Sequence, residues 1–503
     1  MRILYLDLDT LGPDHLGCYG YPRQTSPNID SVAAQGVRFE QVYASDAPCM
    51  PSRTALMTGQ FGFHTGVVGH SGTAGDMRLE GPSRAFRTSL GETSLPGMLR
   101  AAGLHTVFIG GFAERHASWT FYAGFGEIHD TGKHGMESAE DVTPTVLEWI
   151  EHNAQRKDWY LHINYWDAHT PYRAPQSFGN PFKDQALSTW ITPEILAAHR
   201  QLCGPHTARE INMYDNCEDA RYPRHPGELE TMADVRRLFD GYDCGIAYMD
   251  SHIGQLFTAL KARGVWDDLA IIISADHGEN MGELGIYGEH ATADTATCRI
   301  PQIIRWPGGR QGVDHGLHYN LDLAPTLAEL IARPAAVQWD GKSFARALLP
   351  RMKAGSEAEE TGHPCLIISQ CAHVCQRSVR WDTWLYMRTY HCGYHLFPEE
   401  MLYNLALDPH LQNDIAILHL EICRQGGTML LQWQNEMLAS MPANSAVDPM
   451  QTVLAEGGPT HAMGGHLPGY LARLRATDRA HHADELERRY VDGQFDHELN
   501  RKK

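Results

Sequence analysis

The 503-residue chain lacks four things, and each lack narrows its function. No stretch approaches the ~20 apolar residues of a membrane span, so no membrane partner is expected. No basic segment, apolar core and small-residue cleavage site open the chain, so a cytoplasmic protein is expected. Positive charge is scarce: Lys and Arg total 42 against 61 Asp and Glu, a net charge of −19. Such a surface repels phosphate backbones and argues against nucleic acid as a partner, while a local cationic site still admits a small anionic substrate. The 11 cysteines are odd in number and scattered, which suits reduced thiols better than a disulfide framework. There is no internal repeat and no low-complexity tract.

What is present reads as a large α/β protein. Hydrophobic residues are 43% and charged residues 20%, and the length gives a prior of about three domains. Short β-rich apolar runs at 3–8, 105–109, 159–165, 269–274 and around Ile303 alternate with helical patterns at 27–36, 93–102 and 231–263. That alternation predicts a large, mainly parallel sheet sandwiched by helices over residues 1–350. The chemistry of such sheets sits at the carboxyl ends of the strands. Residues 176–230, rich in Pro, Gly and His, read as an insertion at the rim of the site. After a polar linker at 351–362, strand patterns at 365–370, 378–381 and 384–390 and a helix at 414–438 predict a smaller α+β subdomain over 360–460. A helical tail at 461–503 is set apart, with Arg473, Arg475 and Arg479 near one another. It docks either on its own subunit or on a second one, where its arginines would read an anionic group.

Five segments carry chemistry. Cys49-Met50-Pro51-Ser52-Arg53 leads into Thr54-Ala55-Leu56-Met57-Thr58-Gly59. Pro51 suits the first turn of a helix, whose free N–H groups and positive end then face whatever Cys49 touches. Arg53 adds a fixed, forked positive charge. At the end of the first strand, Asp7 and Asp9 share one face, a costly arrangement without a metal or a partner, unless one of them caps the next turn. A buried strand runs into Asp276-His277-Gly278, and another into Asp167-Ala168-His169-Thr170-Pro171-Tyr172. His290 follows Glu289 a little upstream of Arg299-Ile300-Pro301.

Cys-x-Pro-Ser-Arg followed by Thr-x-Leu-x-Thr-Gly resembles the formylglycine-dependent (type I) sulfatases of the alkaline phosphatase superfamily. The resemblance extends over roughly residues 2–415, including Asp14-His15-Leu16-Gly17-Cys18-Tyr19-Gly20 and Leu402-Tyr403-Asn404-Leu405. It implies oxidation of Cys49 to formylglycine by a maturation enzyme. One hydroxyl of the hydrated aldehyde attacks sulfur, and the other expels sulfate. It implies a divalent metal at Asp9, Asp276, His277 and residue 49, unless His277 only hydrogen-bonds the formylglycine. Calcium is the first expectation for oxygen ligands, and manganese or zinc the alternative given a histidine. It also implies a sulfate contact and proton donor at His169 and a sulfate contact at His290.

The chain departs from the family in three places. The second aspartate of the usual Asp-Asp pair is Thr10, for which Asp7 stands as the replacement ligand. The family's lysine nine residues before Arg-Val-Pro is His290, cationic only if its neighbours raise its pKa, with Glu289 placed to help. The family's Gly-Lys-Trp-His segment reads Gly110-Gly111-Phe112-Ala113-Glu114-Arg115-His116, so Gly111 takes the lysine position and Arg115 or His116 is the substitute charge. Trp119, Phe121 and Tyr122 beyond it either stack on a sugar or pack in the core. Cys371 and Cys375 are four residues apart without further ligands and read as plain thiols. The expected function is release of inorganic sulfate from a sulfated small molecule or oligosaccharide. The alternatives are a phosphonate monoester or phosphodiester hydrolase with the same aldehyde, and a non-catalytic binding protein with unmodified Cys49. The tail leaves a homo-oligomer open.

Overall fold

A computed structural model describes residues 1–78, 89–333, 339–350, 362–441, 447–462 and 464–491. The linker expected at 351–362 falls outside these residues except for Gly362, as do Met463 and the last twelve residues of the tail.

An eight-stranded sheet forms the centre. Strand Arg2–Leu8 lies between Trp159–Tyr165 and Leu269–Ser274, parallel to both. These strands are buried almost throughout, as their continuous apolar runs require of a sheet covered on both faces. His105–Ile109 and Glu127–His129 extend the sheet in parallel on one side. On the other side Arg299–Arg305 runs antiparallel to both its neighbours, Leu269–Ser274 and Val37–Tyr43. Gly312–Tyr319 closes that edge parallel to Val37–Tyr43. The sheet is therefore mixed, with one strand reversed in a parallel majority.

Helices flank it in two packed groups. Ala139–Asn153, Pro27–Ala33 and the 31-residue helix Met232–Ala262 form one, and Cys49–Thr58, Leu95–Ala101 and Leu323–Leu330 the other. Met232–Ala262 begins at a capping box in which Asp234 accepts from the backbone N–H and hydroxyl of Thr231, both at 2.8 Å. No helix of the described residues is long and apolar enough to cross a membrane.

A second sheet of five strands contains Leu366–Gln370, Cys375–Trp381, Trp384–His391 and Glu400–Asn404, covered by helix Leu420–Ser440. Its fifth strand is Asp46–Ala47, immediately before Cys49, which pairs with Ser369 and Gln370. The C-terminal region thus holds the backbone that presents Cys49.

The tail forms Leu467–Ala476 and Ala480–Leu486 and packs on its own chain, with Tyr470, Leu474 and Leu486 against Tyr214 and Tyr394. Arg479 is fully buried and paired with Glu210, which also accepts from Arg473 at 2.8 Å. Arg475 pairs with Asp484 and Glu487 inside the tail. Carboxylates of the same chain thus pair with all three arginines that the sequence offered as receptors for an anionic group.

Candidate active site

The carboxyl ends of the central strands converge on the helix that begins at Cys49. Cys49 is the first residue of that helix and is buried. Ser52, one turn on, donates to the carbonyl of Asp276 at 2.6 Å, and Asn320 donates to the Ser52 carbonyl and hydroxyl at 3.0 Å. These bonds fix the helix start against the end of strand Leu269–Ser274.

Donor atoms of Asp9, Cys49, Asp276 and His277 all lie within 4.8 Å of one another. His277 Nδ1 donates to the carbonyl of Gly278 at 2.9 Å, so its Nε2 lone pair turns inward, 3.0 Å from Cys49 Sγ and 3.2 Å from Asp276 Oδ2. Burial first, then the neighbouring His290, pushes the His277 pKa down to about 3, so the ring is neutral and free to ligate. Thr10 orients the carboxylates. It adopts a left-handed backbone (φ 60°), its N–H donates to Asp276 Oδ1 at 3.1 Å, and its hydroxyl donates to Asp9 Oδ1 at 2.7 Å.

Arg53 lies at the centre of three carboxylates. It meets Asp7 at 2.9 and 3.0 Å, Asp9 at 2.8 Å, and Asp276. One guanidinium cannot balance three buried carboxylates. Burial, with Asp9 and Asp7 adding to it, accordingly pushes Asp276 up to about 8, while burial at Asp9 is outweighed by Arg53, which keeps Asp9 below the usual carboxylate range. Two carboxylates, an imidazole lone pair and a shortfall of positive charge fit a divalent cation. Asp7, the sequence's candidate for the missing ligand, is engaged elsewhere: its carboxylate meets Arg53 and, at 3.1 Å, His162 Nε2, and it lies outside the converging group.

His290 lies against His277 with ring centroids 4.0 Å apart and against His169 at 5.5 Å. Its Nδ1 is 3.3 Å from Glu279 and its Nε2 3.0 Å from Glu289. Burial opposes its charge, but Glu289 and Glu279 outweigh burial and hold its pKa well above the ordinary histidine value. Glu279, two residues past His277 and buried, is a partner that the motif alone did not single out. His169 is the opposite case. Its Nδ1 donates to the Thr170 carbonyl at 2.6 Å, and burial, with Arg115 and Arg173, keeps it neutral.

A cavity of about 400 Å³ opens beside these groups. His169, Glu289 and Arg115 line it, and Asn212, Tyr222 and His225 from the 176–230 insertion form its rim. Arg115 therefore faces the cavity, over the Trp166 ring at 5.2 Å. His116 packs against His70 with centroids 4.7 Å apart, and burial first, Arg115 second, lowers its pKa to about 3. Of the nearby aromatics Phe121 is core, whereas Trp119 is 57% exposed. A Cβ at Gly111 would meet Glu137 Oε1 at 2.2 Å. Buried Glu137 fills the space beside Gly111, and no sequence pattern marked it. Cys371 and Cys375 are buried free thiols in an apolar cluster.

Known proteins are similar to this chain in sequence and in fold. The chain is 26% identical over 421 residues to a choline-sulfatase of Rhizobium meliloti, 76% of each chain, and 27% identical over 362 residues to human arylsulfatase A, covering 69% and 68%. It superposes on the phosphonate monoester hydrolase of Agrobacterium radiobacter with a TM-score of 0.65 at 18% identity, covering 87% and 96%. A 2-O GAG sulfatase superposes with a TM-score of 0.64 at 19% identity, covering 87% and 92%. Residues 2–332 match the family described as Sulfatase, and with Cys49 and its ligand cluster in place the chain belongs to that family, as a hydrolase of the sulfatase type.

Proposed function

We propose that the protein hydrolyses a sulfate ester on a carbohydrate, using a formylglycine made from Cys49 beside a divalent metal. The observation that carries this reading is the meeting of Cys49 with Asp9, Asp276 and His277 beside a polar cavity of sugar-binding size. A hydrated formylglycine supplies a nucleophilic hydroxyl and a second hydroxyl that allows sulfate to leave, and the metal supplies positive charge beside them. Asp9, Asp276 and the inward Nε2 of His277 would hold that metal, calcium by its oxygen donors or manganese or zinc by its imidazole. Arg53 stays fixed under the carboxylates and keeps Asp9 ionised, and the metal would supply the charge that Asp276 still lacks. Ser52 and Asn320 keep the helix start pointed at the reacting group. His169 contacts the sulfate through Nε2, and an anion there raises its pKa so that it can pass a proton to the leaving oxygen. His290, its two nitrogens held by Glu279 and Glu289, sets positive charge beside the same group, and Arg115 reaches the sugar end of the cavity. The maturation enzyme that modifies Cys49 is the partner this reading requires.

A second reading, a phosphonate monoester or phosphodiester hydrolase, is favoured by one observation: among the described residues no lysine lines the cavity, and Gly111 and His290 stand where the resemblance expects lysines. A screen of sulfated mono- and disaccharides against aryl sulfate and phenyl phosphonate esters separates the two. Release of sulfate from a sugar at the highest kcat/KM supports the first reading, and preference for the phosphonate overturns it.

A further inference from the structure

Next to the group at Cys49, a carboxylate and two imidazoles converge, those of Glu289, His290 and His373, and a third imidazole, His206, meets the same carboxylate. Glu289 ends the short strand Tyr287–Glu289, and His290 follows it. His206 comes from the 176–230 insertion, and His373 from the turn between Leu366–Gln370 and Cys375–Trp381. All four are buried, at 9%, 3%, 7% and 2% exposure. Glu289 Oε1 is 3.0 Å from His290 Nε2 and 3.8 Å from His373 Nε2, and Glu289 Oε2 is 3.2 Å from His206 Nε2. A tetrahedral ion with bonds of about 2.0–2.2 Å sets its ligands roughly 3.4 Å apart; Glu289, His290 and His373 each offer a donor atom within 4.8 Å of the others, and His206 meets the second oxygen of Glu289.

The hydrogen bonds on the far sides of the rings aim the near nitrogens at Glu289. His206 Nδ1 donates to the carbonyl of Ile211 at 2.9 Å, so the Nε2 lone pair turns inward, where it meets no hydrogen-bond donor among the described residues. His290 Nδ1 faces Glu279 Oε2 in the same way. Metal-binding histidines are held by this kind of outer contact to a carbonyl or carboxylate. Neither ring nitrogen of His373 has a hydrogen-bond partner among the described residues, and burial keeps that ring neutral. The partnerless ring nitrogens of His206 and His373 are buried beside a carboxylate, an arrangement that is costly unless a cation lies between them. An anion at this point would be repelled by Glu289. His206 and Glu289 also line the cavity, which gives an ion a path in.

We propose that Glu289, His290 and His373, with His206 holding the second oxygen of Glu289, form a second divalent-metal site beside that of Asp9, Asp276 and His277, selective for an imidazole-preferring ion of the zinc type. The bound ion displaces the proton that His290 otherwise shares with Glu289. It places double positive charge where the family carries a lysine. The site does not depend on the sulfate-ester reading; only this role does.

The test is a metal count on the full chain. Protein stripped by chelation is titrated with Co2+, followed by visible absorption and by elemental analysis after desalting. The wild type is expected to bind two equivalents. Asp276→Asn, with the first site disabled, should bind one, and so should Glu289→Gln and His373→Ala. Circular dichroism establishes that each variant is folded, and His206→Ala replaces any that is not. A single equivalent in the wild type, none in folded Asp276→Asn, or two in folded Glu289→Gln would overturn the proposal. Turnover is not measured, so failure of the substrate reading leaves the count unaffected.

Discussion

Arg53 grips Asp7 through two parallel contacts, Nε to Oδ2 at 2.9 Å and Nη2 to Oδ1 at 3.0 Å. The first strand is thereby bound to the helix that carries Cys49, and Asp7 acts on the site through Arg53.

Asp7→Asn removes the charge from one half of a buried ion pair. Arg53 keeps Asp9 and Asp276 as partners, so the cost is that of the charged hydrogen bonds lost, about 1.5–3 kcal/mol. Denaturant unfolding should show a loss of that size, while elemental analysis of the folded variant shows metal at the wild-type level. Loss of metal from a protein of normal stability would make Asp7 a ligand.

Arg479→Ala leaves Glu210 buried without its strongest partner. The tail and the insertion then loosen together, because Tyr470 also bonds the backbone of Gly204. The expected result is about 3 kcal/mol of lost stability, faster proteolysis within 211–225, and a raised KM with little change in kcat, since that segment lines the cavity. Unchanged proteolysis and KM would separate the tail from the substrate rim.

His15 supplies a pH dependence. Its Nδ1 meets Asp243 at 2.7 Å; burial works against its charge, but the hydrogen bond and charge of Asp243 outweigh burial and raise its pKa above 6.5. A pKa raised in the folded state stabilises fully below the unfolded value and less as pH climbs through the folded one. The stability gap between wild type and His15→Gln should therefore be largest below about pH 6.5 and shrink above it. A gap that widens with rising pH would contradict the pairing.

Much of the site was legible because its residues end strands. Asp9, Asp276 and His277 each follow an apolar run, and the rule for strand ends places them together, whereas Cys49 was legible from Cys-x-Pro-Ser-Arg and the helix it opens. Helix Met232–Ala262 was legible from its apolar stripe. The reversed direction of Arg299–Arg305 was not, because a buried strand has the same apolar run in either direction. Asp46–Ala47 is too short to show a period, though it ties the second sheet to Cys49. Glu279, Glu137 and His373 were missed for a related reason. Their roles come from contacts across the chain, such as the 3.0 Å bond from Gln370 Nε2 to the carbonyl of His290, and no local pattern encodes those.

The central claim is that residue 49 acts as an aldehyde, and the mass of the peptide that contains it tests this most directly. Conversion of a cysteine thiol to formylglycine removes about 18 Da, unlike ordinary thiol oxidation, which adds oxygen. Protein that turns over a sulfate ester should carry the lighter peptide in proportion to its activity, and Cys49→Ala should have neither. Fully active protein in which every peptide retains the mass of unmodified Cys49 would contradict the account.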